Sequence, residues 1–275
     1  MNLPVNKLCK LAGMSRQNFY KHRKASERRQ VDEELIRTLV LRERAVQPRI
    51  GGLKLHCVLG PELAEHGIKI GRDRFFGVLK KLGLLLERLP RNPKTTNSNH
   101  NLPIFGNLIK DISLTSPNQV WVSDITYIRT KYGFMYLSLI TDKFSRKIVG
   151  YYLSESLEAS ETIKALESAL AELPDGEKPI HHSDRGRQYC SHKYVKKLKK
   201  NDIGISMTED NHCAENALAE RVNGILKQEY CLNHEFISKE HAQKSVKEAI
   251  YLYNNCRLHR SLKLCTPSEV HRKVA

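Results

Sequence analysis

No stretch of this chain is apolar for long enough to cross a bilayer: the longest run lies around 82–86, and a helical span needs about 20 residues. The N-terminus shows no apolar core behind a charged start, so neither membrane insertion nor secretion is expected and the chain reads as cytoplasmic. Cysteine is scarce and badly spaced for structural work. The seven cysteines are an odd number, scattered from Cys9 to Cys265, and no pair has the short gap of a zinc knuckle; they read as reduced thiols. Adjacent His56-Cys57, His181-His182 and His212-Cys213 fit no standard finger, and Ser183 lacks the glycine-flanked elbow of a serine hydrolase. Acid is also in short supply. Against 46 lysines and arginines stand 30 aspartates and glutamates, a net charge of +16, which points to a polyanionic partner.

That deficit is uneven. Residues 1–110 hold 22 basic and 9 acidic side chains, whereas residues 111–275 hold 24 and 21. A basic front ahead of a nearly balanced body is the pattern of a nucleic-acid-holding region joined to a domain with another task. With 40% hydrophobic residues among 275, the chain can pack a core, which excludes the disordered, collagen-like and mucin-like classes.

In the front region Val5, Leu8, Cys9 and Leu11 are apolar at helical spacing, Gly13 breaks the pattern, and Ser15 can cap a helix over 16–20. This is the outline of a helix-turn-helix, with Arg16 and Lys21 as candidate DNA contacts. A longer helix is expected over 31–46. A second helix pair is expected over 53–86, broken at His66-Gly67, and its second helix carries Arg72, Arg74, Lys80 and Lys81. Such crowding favours phosphate contacts, the plainer alternative being an unliganded basic helix. Residues 93–103 are polar and proline-bounded, a linker by composition. The expected division is 1–48, a basic helix-turn-helix-like segment; 49–92, a second such segment; 93–117, a linker; and 118–275, the body with a helical tail.

Past the linker the pattern changes to strands over 120–129, 134–141 and 147–154, rich in Val, Ile, Tyr, Thr and Leu and joined by short turns, hence an antiparallel meander. A helix over 161–172, a strand over 179–184, a helix over 193–200, a strand over 204–207 and a helix over 216–230 follow. That order is an α/β mixed sheet with helices on both faces, the ribonuclease H-like architecture, preceded by an all-α region.

Three carboxylates stand where an oxygen-rich divalent-metal site needs them: Asp124 inside the first strand, Asp184 at the end of the fourth, and Glu220 on the late helix. Asp124 lies in an apolar strand, where an unpaired buried charge costs several kcal/mol; taken alone it also suits an edge position. Asp184 precedes a glycine turn at a strand end, a place where α/β sheets display functional side chains and where ordinary Asp turns also occur. Glu220 shares a helical stripe with Asn216, Asn223 and Lys227, opposite Leu218, Val222 and Ile225, while Glu215 faces the apolar side or precedes the helix. Lys227 could hold a phosphate beside the carboxylates or be a solvated charge.

The run Trp121-Val-Ser-Asp124-Ile-Thr-Tyr-Ile, then His182-Ser-Asp184-Arg-Gly186-x-Gln188-Tyr189-x-Ser191, then Asn216-Ala-x-Ala-Glu220, resembles the catalytic core of bacterial insertion-sequence transposases related to retroviral integrases. More narrowly it resembles the second-open-reading-frame product of the large two-frame insertion-sequence group, whose tail pattern matches Tyr253-Asn-x-x-Arg257-x-His259-x-x-Leu262-x-x-x-Thr266-Pro267. Cys213-Ala214-Glu215 departs from that group, many of whose members carry an aromatic residue in the middle.

The resemblance implies that Asp124, Asp184 and Glu220 bind two Mg²⁺ ions roughly 3.5–4 Å apart, with Mn²⁺ as a substitute, and that no covalent protein–DNA intermediate forms. It implies cleavage that frees a 3′-hydroxyl at the element end, then attack of that hydroxyl on a second phosphodiester. Double-stranded DNA, at element ends and target, would be the partner. Lys227, Asn223, Arg185 and the basic residues of the front region would contact it. In that group the active enzyme is generally a fusion with an upstream DNA-binding frame, so this chain, starting at its own Met, is expected to be one part of the working enzyme, as a homo-oligomer on DNA at the bacterial nucleoid. Two alternatives stay open on the residues: a metal-dependent nuclease without strand transfer, and a non-enzymatic helix-turn-helix regulator.

Overall fold

The computed structural model describes residues 4–87, 102–209 and 213–273, the side chains of 213 and 214 excepted. The chain divides into two compact units, Met1–Arg88 and Leu89–Ala275. The first is helical: α1 (Val5–Leu11), α2 (Arg16–Val46), α3 (Gly52–Glu65) and α4 (Arg72–Lys81). Ser15 caps α2 by accepting the Asn18 N–H, as its position before the helix suggests. The separate helices expected over 16–20 and 31–46 are in fact one. Residues 16–46 contain neither glycine nor proline, so nothing interrupts the backbone ladder and a single 31-residue helix results. Ile36, Leu39 and Val40 of α2 share one core with Leu55, Leu59 and Leu63 of α3 and Phe75, Val78 and Leu79 of α4. Both segments, 1–48 and 49–92, therefore contribute to that core.

The second unit is built on a five-stranded sheet of order β3-β2-β1-β4-β5. Its strands are β1 (Val120–Thr130), β2 (Gly133–Asp142), β3 (Ile148–Ser154), β4 (Ile180–Ser183) and β5 (Gly204–Met207). The meander β1-β2-β3 is antiparallel, and β4 and β5 run parallel to β1. Helices α5 (Ala159–Ala171), α6 (Arg187–Cys190), α7 (His192–Lys200), α8 (Ala217–Glu229), α9 (Lys239–Asn255) and α10 (Pro267–Lys273) complete it. Side chains alternate along β1 with period two. Trp121 packs with α5 and α7, while Val122 and Ile128 face α8 and α9. The mixed sheet covered on both faces is the ribonuclease H-like fold. Residues 102–117 lie against this unit: Ile109 is buried beside Val120 and Val122, and the Leu108 N–H donates to Ser206.

Two contacts fix the outer strand. Gly150 of β3 must be glycine, because a Cβ there would sit 2.4 Å from the Ala165 carbonyl and 2.7 Å from the Ala169 methyl of α5. On the other side, Asn254 of α9 accepts the Ile148 N–H and donates to the Ile148 carbonyl, both at 2.9 Å. These bonds satisfy edge-strand groups beside the register shift at Ile140/Thr141. Asn254→Ala orphans both groups, and denaturant unfolding should show a loss of about 2–5 kcal/mol; a loss near zero would refute the clamp.

Candidate active site

Ser123 of β1 pairs with Ser183 of β4 in parallel register. The next residue in each case is a carboxylate, Asp124 within β1 and Asp184 immediately past the end of β4, so the two follow a pair of strands whose backbones lie about 4.8 Å apart. Both line a cleft of about 420 Å³, with Gly186, Arg187, Gln188 and Tyr189 from the turn and α6. The period-two pattern turns Asp124 toward α8, where the Asn223 side-chain amide donates to its Oδ2 at 2.8 Å. Its Oδ1 accepts the Ile125 N–H at 2.9 Å. Asp184 Oδ1 accepts the Gly186 N–H at 3.0 Å, an Asx turn that needs the short side chain.

Burial first, and the neighbouring Asp184 carboxylate second, push Asp124 up to about 7, with Glu220 adding to the rise and the bonds from Asn223 and Ile125 opposing it. Asp124 thus feels the charge of both other acids. Glu220 is exposed on the first turn of α8, one turn before Asn223. Lys227, two turns on from Glu220, is half-buried; desolvation lowers its pKa and the Asp124 charge opposes that. The stripe expected on this helix is therefore present, and Val222, Ile225 and Leu226 fill the core on the other side. Glu215 precedes α8, in the turn Cys213–Asn216, and accepts the Glu209 N–H.

As the side chains stand, no three His, Cys, Asp or Glu among the described residues are grouped tightly enough to hold an ion. The donor chemistry nevertheless fits a hard divalent cation. Asp124 and Asp184, the acids that line the cleft, present only carboxylate oxygens, and the repulsion at Asp124 is the interaction that a bound cation would relieve; Glu220 is exposed and does not line the cleft. The histidines do not enter: His181 is fully buried, receives hydroxyl contacts from Ser123 at 2.7 Å and Tyr194 at 2.9 Å, and is held neutral by burial with its pKa lowered to about 3. His182 contacts Ser206 at 2.9 Å and is likewise lowered, to about 4. His56 contacts the Ile70 carbonyl, and His212 lies outside the described residues.

The other residues singled out in the sequence divide into two groups. Asn223 commits its amide to Asp124, and the Arg185 Nε donates to the Thr208 carbonyl at 2.7 Å, so both brace the cleft. Arg16, Lys21, Arg72, Arg74, Lys80 and Lys81 are exposed on the helical unit, with Arg72 paired to Asp73 and Lys81 to Glu33. Sequence reasoning missed several supports. Asn216 donates to the Ser123 carbonyl and so ties the start of α8 to β1 immediately before Asp124. Gln188 donates to the Leu157 carbonyl and closes one side of the cleft. Arg257 makes a two-point ion pair with Glu229 at the end of α8. Asn216, Gln188 and Arg257 all stood in the quoted motifs, but their partners lie 28 or more residues away.

A five-stranded ribonuclease H-like sheet that brings one carboxylate from inside β1 and one from just past the end of β4 into a shared cleft has the architecture and donor set of a metal-dependent phosphodiester enzyme. Comparison with known proteins makes the class specific. The description Integrase core domain matches residues 115–213 and, in a second form, residues 201–267. The chain is 35% identical over 270 residues to an insertion element IS600 31 kDa protein of Shigella sonnei, covering 97% of this chain and 98% of that one. It is 33% identical over 203 residues to the transposase InsF for insertion sequence IS3A of Escherichia coli (strain K12), covering 73% and 70%. Among solved structures, the HTLV-2 integrase catalytic core domain in complex with magnesium aligns at 22% identity and a TM-score of 0.46, over 57% of this chain and 98% of that one. The chain belongs to the family of insertion-sequence transposases with an integrase core. It is an enzyme of DNA transposition.

The raised Asp124 has a measurable consequence in the metal-free chain. Its folded-state pKa lies above the unfolded value, so it lowers stability progressively from about pH 4 to about pH 7 and fully above that. Asp124→Asn removes this penalty. Its thermal unfolding should match that of the parent near pH 4 and lie above it at pH 8 by an amount on the order of a few kcal/mol; equal stability at both pH values would contradict the electrostatic account.

Proposed function

We propose that Asp124, Asp184 and Glu220 carry the transposition chemistry, cleaving double-stranded DNA at an element end and joining the freed 3′-hydroxyl to a second phosphodiester. The observation that supports this most is the register of β1 on β4, which sets two carboxylates in one cleft and raises the proton affinity of Asp124. The same three residues would hold divalent cations, Mg²⁺ or Mn²⁺. When bound, such cations supply positive charge to the phosphodiester and to the oxygens that attack and leave.

The chain's own side chains prepare that arrangement. Asn223 and the Ile125 N–H fix the Asp124 carboxylate. The Gly186 N–H fixes Asp184, and Asn216 holds the α8 start, and with it Glu220, against β1. A carboxylate set already oriented requires little reorganisation when DNA arrives. Lys227, on the Glu220 stripe, supplies a cation for a phosphate beside the reacting one. In the first step water displaces a 3′-oxygen leaving group to give a 3′-hydroxyl and a 5′-phosphate on the flank. In the second that hydroxyl attacks a new phosphodiester in line, one P–O bond forming as another breaks, so the number of phosphodiesters is conserved and no external energy source enters.

The exposed cations of the helical unit, Arg16, Lys21, Arg72, Arg74 and Lys80 among them, hold the flanking duplex. The reaction on two DNA ends calls for a homo-oligomer, and the product of an upstream frame, alone or fused, for end recognition. No helix among the described residues is long and apolar enough to cross a membrane; the enzyme acts on cytoplasmic, nucleoid DNA.

The deciding experiment is Mg²⁺-dependent joining of labelled duplexes carrying the element ends, with the upstream frame present as a fusion. Asp184→Asn and Glu220→Gln should each reduce joining to background while DNA binding changes less than about threefold. Joining that survives either substitution refutes that residue's role, and hydrolysis without joining would mean a nuclease. Lys227→Gln should lower the slope of log affinity against log salt by about 0.9; an unchanged slope returns Lys227 to a solvated helix charge.

A further inference from the structure

The solvent face of α7 bears a charge pattern that nothing described above uses. Tyr194, Val195 and Leu198 are its buried side. At about 100° per residue, His192, Lys193, Lys196, Lys199 and Lys200 fall opposite, within an arc of about 120°, and all five are exposed. Lys197 at the border of the arc pairs with Glu167 of α5 at 2.6 Å. Among the described residues none of Lys193, Lys196, Lys199 and Lys200 pairs with a carboxylate, and Lys199 lies over the Phe105 ring at 5.9 Å. Lys196 stands three or four positions from each of the other three, spacings at which like charges repel and weaken a helix. Residues 111–275 are otherwise nearly balanced in charge. A concentrated, unneutralised cationic face on such a unit calls for an anion from outside.

Its position narrows the choice. Arg187 and Gln188 of α6 line the Asp124/Asp184 cleft. Ser191 ends α6 and caps α7 by accepting the Tyr194 N–H, so the lysine-bearing helix begins directly after the α6 residues that line the cleft. Nine residues of helix extend about 13 Å, the length of about four nucleotides of one duplex strand at about 3.4 Å each. Lysine ammonium groups on flexible stems suit phosphates as point charges and read no base edge.

We propose that the exposed face of α7 is a phosphate track on which duplex DNA lies as it enters the cleft, binding independently of base sequence. The inference rests on the cleft being the reaction centre, but its test reads binding and not turnover. In a full chain carrying Asp184→Asn, the triple substitution Lys193→Gln, Lys196→Gln, Lys200→Gln is compared with Lys131→Gln, Lys244→Gln, Lys247→Gln, which removes the same charge from exposed positions elsewhere in the unit.

Affinity for an element-end duplex and for an unrelated duplex is measured across salt concentration. The α7 triple should lower the salt slope by roughly 2–3 and weaken binding about 10–100-fold near 0.1 M salt, equally for both duplexes. The control triple should move the slope by less than about 0.5, and Lys→Arg at the three α7 positions should retain the parent slope. Equal slopes for the two Gln triples would reduce the effect to net charge and overturn the track. So would a loss confined to the element-end duplex, which would mean base reading. If the Asp184 carboxyl proved dispensable for joining, the proposed chemistry would fail while these slopes would still decide the track.

Discussion

The pairing of Ser123 with Ser183 is the constraint on which the rest of the site depends. Once β1 and β4 are parallel in that register, Asp124 inside β1 and Asp184 just past the end of β4 are forced to be neighbours. A slip of one residue would turn Asp124 to the opposite face of the sheet, toward α5 and α7 and away from α8. The arrangement is unfavourable on its own terms. Burial and like charge raise Asp124 to about 7, and the protein accepts this because a few hydrogen bonds, from Asn223 and from the backbone of Ile125 and Gly186, hold the acids in place.

The third acid arrives on a helix, and much of the C-terminal part of the chain secures that helix. Asn216 fastens its start to β1, Val222 and Leu226 bury its inner face with α9, and the Arg257 pair with Glu229 fastens its end. The Asn254 contacts with Ile148 extend the same bracing to the edge strand. Within the tail motif, Arg257 thus braces α8, the helix that carries Glu220, and Asn254 braces the edge strand β3.

Charge is partitioned in a similar way. The helical unit carries most of the net positive charge, yet two of the basic residues on or beside its last helix are already paired, Arg72 with Asp73 and Lys81 with Glu33. Residues 111–275 are nearly neutral but gather lysines on one face of α7, the helix that follows α6. Net charge per segment measures the first feature and averages away the second, because neutrality over a long stretch says nothing about how charges sort between helix faces.

The sequence by itself determined the order of the five strands and of α5, α7 and α8, because alternation and helical periodicity are local properties of the side chains. It also singled out Asp124, Asp184 and Glu220 as the candidate acids, through their motifs. The stripe of Glu220, Asn223 and Lys227 followed from helix geometry alone. The sequence split α2, expected as separate helices over 16–20 and 31–46, where the structure has one uninterrupted helix. Only the tertiary structure decided that Asn223 and Arg185 spend their donors inside the protein, that Asn254 clamps an edge strand 106 residues away, and that Asp124 and Asp184 share one cleft. Those outcomes depend on which strands pair and in what register, and pairing over such separations is settled by burial of the whole sheet and not by any local run of residues.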